Sequence, residues 1–344
     1  MSRISRWSIV GGLLLALPAA AVAQSDGTTP RTAWGHPDLQ GVWDFRTITP
    51  MERPVELAGK EVLSEEEAAA YEAEVNRRQN RDLIDPAKGG ASYPPESEGG
   101  VVPYNEFWYD RGSALVEGRR TSLVVDPPDG RIPPLTLAAE MRRAARAKAR
   151  EGVGRHEPTP GGWVEDIGPG HLAVRCLAGL NSGPPMEPGG YNQNVQVFQT
   201  PDHVVLLNEM IHKVRVIPLD GRSHLPAGLR QWMGDARGRW DGDTLVVETT
   251  NFLRETKFRD GLSDANLHVV ERFTRAAPST LMYEVTVTDP TVWTRPWTYR
   301  IPMQSSDQPL YEYACHEGNY GLYNILAGAR AREAAAGEAA AEGP

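Results

Sequence analysis

YNQNVQVFQTPDHVVLLNEMIHKVRVIPLD, residues Tyr191 to Asp220, reads as three β-strands in succession. The first runs from Asn194 to Thr200. Thr200-Pro201-Asp202 breaks it, because proline cannot donate to a ladder and aspartate favours turns. The second runs from His203 to Glu209 and the third from His212 to Pro218. Met210 and Ile211 alone lie between them, the length of a tight hairpin loop, although such loops prefer Gly or Asn. A distorted turn or a bulge is the other way to accommodate this tip. With the two-residue loop, Glu209 and His212 face each other across the first rung. Leu207 and Val205 then share the face of Glu209, and Val214 and Val216 the face of His212. The spacing predicts an apolar face ending in a Glu/His pair, the layout of a pocket with one polar end. Asp220-Gly221 closes the stretch with a turn signal.

Strand signals continue downstream at short intervals. Leu229–Met233, Thr244–Thr250, Leu267–Thr274, Leu281–Thr288, Arg295–Met303 and Leu310–His316 are the candidates, with Arg239–Asp243 as a turn. This spacing predicts a mainly β protein, an antiparallel meander closing into a barrel over residues 191–318. Upstream, Gly41-Val42-Trp43 is a plausible first strand, with Trp43 expected to be buried against Trp297 or Arg300. Ser64 and Glu67 form a capping box, so a helix should start at Glu65 and run to about Arg78. A second helical run spans Thr136 to Arg150, its arginines four apart on what is most simply a solvated face. Residues 24–190 are therefore expected to supply the first strand, helices and long covering loops of one domain. Residues 319–344 read as a C-terminal helix from about Asn319 to Arg332 and a disordered Ala/Glu/Gly tail.

Residues 1–23 have the form of an export signal, with Arg3 and Arg6 before an apolar run and Ala21-Val22-Ala23 before the expected cleavage point. That run is too short to span a bilayer, and no membrane anchor is expected. Without it, 36 basic residues less those two arginines stand against 45 acidic ones, a net charge of −11. Such a balance disfavours nucleic acid as a partner. The expected location is the periplasm or the exterior. In that oxidising setting the two cysteines, Cys176 and Cys315, are expected to form a disulfide.

No nucleophile elbow, phosphate loop, dinucleotide fingerprint or His-Glu-x-x-His motif occurs in the chain, and nothing in it assigns a cofactor. The candidate catalytic residues are Glu209 and His212, since a carboxylate beside an imidazole suits acid–base chemistry. Candidate ligand-binding residues are Tyr191, Asn192, His203, Trp232 and His316. Histidines at strand ends are more often structural than catalytic, and Glu271-Arg272 reads as a surface or inter-strand ion pair. His203, Glu209, His212 and His316 are of metal-ligating types, but their spacing forms no metal motif and no metal is expected.

Pro37–Trp43, Tyr104–Arg111, Glu209–His212, Arg237–Phe252 and Cys315–Tyr320 resemble segments of a large, uncharacterised family of secreted bacterial proteins. That resemblance implies export and assigns no catalytic residue. A weaker resemblance, carried by Gly41-Val42-Trp43 and the later meander, is to lipocalin-like (calycin) barrels. It implies a barrel with an internal pocket. Three functions are compatible with these features: a lyase, isomerase or hydrolase acting on a small hydrophobic or aromatic molecule, a binding protein for an apolar ligand, and a structural envelope protein.

Overall fold

Alternation of apolar and polar residues along short runs needs a sheet that is buried on one face, and the chain builds one such sheet. A computed structural model describes residues 29–83, 105–149, 151, 172, 175–179, 181–253, 258–259, 263 and 265–341. The expected export signal, residues 1–23, lies outside them. The strands are β1 (Gly41–Asp44), β2 (Val124–Asp126), β3 (Asn194–Gln199), β4 (His203–Asn208), β5 (Val214–Pro218), β6 (Asp235–Asp241), β7 (Thr244–Thr250), β8 (His268–Ala277), β9 (Thr280–Thr288) and β10 (Trp297–Ser306). They form one antiparallel sheet in the order β5-β4-β3-β1-β10-β9-β8-β7-β6, with β2 also paired to β10. The four-residue β1 lies between the two halves of this order. It pairs with β3 on one side and β10 on the other.

The expected lipocalin-like barrel is not formed. The sheet ends at β5 and β6, and no ladder joins these edges. The edges approach each other closely without pairing. A Cβ on Gly238 of β6 would lie 2.6 Å from Leu219 Cδ2 and 2.8 Å from Ile217 Cγ2. Glycine there admits the two apolar side chains, which occupy the space that a closing ladder would need.

The concave core is filled. Trp43, Phe273, Tyr283, Trp297 and Tyr299 are fully buried in it. Trp43 donates its indole N–H to the Leu39 carbonyl at 2.8 Å and carries the Arg275 guanidinium at 5.2 Å from its ring centre. Burial of Trp43 was expected, but its cationic neighbour is Arg275 of β8. Arg300 instead pairs with Glu284 on the outer face.

Helix α1 (Glu65–Gln79) starts at the expected capping box, with Ser64 accepting from the Glu67 amide. Helix α2 spans Leu137–Ala149, and α3 spans Tyr320–Ala341. The helix α3 thus continues through most of the segment expected to be disordered, as its run of alanines and glutamates favours. Two expected strands are absent. Leu229–Met233 contributes only a bridge from Gln231 to Phe252, and Leu310–His316 has no ladder. The segment Asp235–Asp241 is a strand, so the turn has shrunk to Gly242-Asp243. Among the described residues no helix is long and apolar enough to cross a membrane. A disulfide in such a chain is compatible with export.

Candidate functional site

The tip of the β4–β5 hairpin differs from the expected two-residue loop. Asn208 donates its amide to the Lys213 carbonyl at 2.8 Å, so four residues, Glu209 to His212, lie between the paired positions. They form a 3-10 turn in which Ile211 has φ 59° and His212 φ 42°. A β-branched residue in the left-handed region is strained, and burial must hold it there. Ile211 and Met210 are indeed buried against Cys176, with Tyr191, Tyr313 and Cys315 around them. The Cys176–Cys315 disulfide is present, with Cα atoms 5.9 Å apart, and it covers the tip. This cover explains why an apolar Met-Ile pair occupies a hairpin end.

The two extra residues place the expected catalytic pair differently. Glu209 is buried and accepts from Asn194 Nδ2 at 2.8 Å. His212 is exposed, and its Nδ1 lies 3.0 Å from the Tyr313 carbonyl oxygen. The two are not cross-strand partners. His316 comes beside His212, with ring centres 6.1 Å apart. Tyr191 packs at the disulfide, and Asn181 Nδ2 donates to the carbonyls of Tyr191 and Asn192. His203 is at the opposite end of β4, paired with Pro218. Among the described residues no group of three potential ligands could hold a metal ion.

The face of the hairpin that looks inward is also the other one. Val214 and Val216 are exposed, while Arg215 and Ile217 are buried; across from them Val204, Leu206 and Asn208 are buried. Cross-strand partners share a face, so Asn208 and Lys213 lie on this inner side with Arg215. Arg215 reaches across the concave side of the sheet to Glu271 of β8. Its Nη1 donates to Oε1 at 2.9 Å and its Nη2 to Oε2, and both side chains are excluded from solvent. Tyr283 donates its hydroxyl to Glu271 Oε1 at 2.7 Å and accepts from the Met186 amide at 3.0 Å. Tyr299 donates to the Met186 carbonyl at 2.7 Å. Glu271, expected in a surface or inter-strand pair, is therefore the acceptor at the centre of a buried network.

Burial works against the charge of Arg215, but the facing carboxylate more than restores it, so its pKa is raised. Burial, and then the charge of Glu271, push the Tyr283 hydroxyl well above the ordinary tyrosine value and keep it a neutral donor. Among the described residues, Arg215 Nε and both amide atoms of Asn208, a residue 1% exposed, have no hydrogen-bond partner. Buried polar atoms without partners are rare, and each needs an explanation.

Between the edges of β5 and β6 opens a cleft of about 470 Å³. Lys213, Arg215, Arg230, Trp232 and Asp235 are among the residues that line it. Asp235 is itself clamped: His224 Nδ1 and the Leu225 amide each lie 2.9 Å from its Oδ2, and Arg237 Nη1 donates to its Oδ1 at 2.6 Å. Among the described residues, Lys213 and Arg230 meet no carboxylate. Lys213 Nζ donates to the Leu177 carbonyl at 2.9 Å, and Arg230 Nη1 to the carbonyls of Phe252 and Ala265. Burial lowers the pKa of Lys213. Sequence reasoning picked out Trp232 in this cleft and missed Lys213, Arg215, Arg230 and Glu271.

Comparison of the chain with protein-family models, curated proteins and solved structures finds no match.

Proposed function

We propose that the protein is an exported binding protein for a small organic anion held in the cleft between β5 and β6. The observation that carries this reading is the pair of cations, Lys213 and Arg230, that line the cleft and meet no carboxylate among the described residues, the lining Asp235 being held by His224 and Arg237, in a chain of net charge −9. A partly buried ammonium whose pKa is lowered by desolvation gains from an incoming anion, which supplies the missing counter-charge. The Asn208 amide, beside Lys213 on the inner face, offers a donor and an acceptor to a group reaching past it. Trp232, Met233 and Leu253 provide apolar surface for the body of the molecule. The volume is in the range of small-molecule sites. This reading keeps the small, partly apolar partner expected from the sequence and adds a negative charge to it.

The test titrates small aromatic monocarboxylates such as benzoate into the protein, with calorimetry and tryptophan fluorescence as readouts. Lys213→Gln is expected to weaken binding about tenfold, the usual size of a lost charge-assisted hydrogen bond, while remaining folded by circular dichroism. Trp232→Phe is expected to remove most of the fluorescence response. Absence of carboxylate binding at millimolar concentration, or equal affinity in Lys213→Gln, defeats the proposal.

Catalysis on the bound molecule is a second reading, favoured by the lowered pKa of Lys213. A neutral amine is the form that abstracts protons or attacks carbonyls. Borohydride trapping of a carbonyl compound on Lys213 would separate this reading from simple binding.

A further inference from the structure

Under α1 lies a second cavity, of about 440 Å³, which shares no residue with the cleft. The helix presents Tyr71, Val75 and Arg78 to it, at the four- and three-residue spacing of a single helical stripe. Ile48, Met51 and Leu123 form an apolar wall. The charges at this cavity are unbalanced. Among the described residues, three guanidinium groups, those of Arg78, Arg111 and Arg259, line it against one carboxylate, Glu187.

Each cation is held in a different way. Arg259 approaches Glu187 at 3.4 Å and lies over the rings of Trp297 and Phe258, 5.4 and 5.9 Å from their centres. Stacking of this kind fixes a guanidinium while leaving its edge free to bind. Arg111 donates to Glu106 and to the Gln79 carbonyl, at 2.8 and 3.2 Å. Arg78 sits in the last turn of α1 and forms no ion pair within 4 Å among the described residues, although its charge is felt by Glu74, which its neighbour Arg77 binds directly. Burial raises the pKa of Tyr71; the charge of Arg78 opposes that shift and the charge of Glu56 adds to it. The cavity thus has an apolar wall, a neutral phenol and a surplus of planar cations.

Guanidinium groups pair with carboxylates through two parallel hydrogen bonds, and an apolar wall beside them favours a molecule with a hydrocarbon body. We propose that this cavity is a second binding site, taking an amphiphilic molecule with one carboxylate head and a short apolar body. The head would meet Arg78 and Arg259, and the body would lie against Met51, Val75 and Leu123.

The experiment measures decanoate and 1-decanol binding to the full chain by calorimetry. Decanoate is expected to bind at least tenfold more tightly than decanol, because only decanoate carries the charge. Arg78→Gln is expected to weaken decanoate at least tenfold and leave decanol unchanged, and Arg78→Lys to recover part of the loss. Lys213→Gln, in the other cleft, is expected to leave decanoate unaffected. Arg78 is exposed and makes no hydrogen bond or ion pair among the described residues, so circular dichroism should show its variants folded. Failure of decanoate to bind, equal binding by Arg78→Gln, or loss of decanoate with Lys213→Gln instead would each overturn the proposal.

Discussion

Arg215 and Glu271 form an ion pair with both side chains out of solvent, and its removal one partner at a time has a calculable outcome. In Arg215→Met the Glu271 carboxylate loses both guanidinium hydrogen bonds and keeps only the Tyr283 hydroxyl as a donor. An uncompensated buried charge of this kind costs about 3–5 kcal/mol. With a urea dependence of ~3 kcal/mol per molar, the unfolding midpoint should fall by about 1–2 M. The double variant Arg215→Met/Glu271→Leu removes both charges and leaves apolar side chains of similar size. It is expected to recover part of the loss, since a well-packed apolar pair replaces a buried ion pair at little cost, less about 1–3 kcal/mol for the Tyr283 hydroxyl left without its acceptor. The assay is equilibrium urea unfolding followed by tryptophan fluorescence at pH 7. A single variant that unfolds at the parent's midpoint would refute the reasoning, because the pair would then be hydrated. A double variant no better than the worse single one would refute it too.

Three further outcomes follow from other parts of the molecule. Reduction of Cys176–Cys315, which closes a loop with a sequence separation of 139, should cost about 4–5 kcal/mol by loop entropy; that is roughly 10 °C in melting temperature, and calorimetry with and without reductant reads it. The pKa of Lys213 is lowered on folding, so below its ordinary value of 10.5 the unfolded chain binds more protons and the contribution of this lysine to stability rises with pH; the parent should gain on Lys213→Gln as pH climbs towards 10.5, and parallel stability curves would contradict the shift. Trp43→Ala should cost about 3–5 kcal/mol, as for other buried aromatics, measured by urea unfolding; a melting curve like the parent's would show that the neighbouring side chains refill the site.

The strands were legible where apolar residues alternate, and the inner face was misread where a charge is buried. In the run Lys213 to Pro218, the valines at 214 and 216 look like the inner side, yet Arg215 and Ile217 occupy it. An arginine reads as solvent-facing unless its partner is known, and that partner, Glu271, comes from a strand far along the chain. Asp235-Ala236-Arg237-Gly238-Arg239-Trp240-Asp241 shows no alternation, so β6 was invisible although β7 beside it was plain. Proline, glycine and the capping box marked the turns and α1 because their chemistry is local. The register of β1 is not local, and nothing in its four residues names β3 and β10 as neighbours. The disulfide could be expected because only one pairing exists, but its role as a lid over Met210 and Ile211 depends on the four-residue tip.

The position of β1 has a bearing on how the molecule comes into being. A ribosome makes Gly41–Asp44 early, while its partners near residues 196 and 306 are made much later. Until then this short strand has two open edges and no neighbour. The hairpins on either side, β3–β5 and β6–β10, can each form from adjacent sequence, but they can be united only by a strand that has waited from the beginning. Assembly of the whole should therefore be a late, single event in which the oldest strand is the last to be enclosed, and long-range closure of this kind is slow.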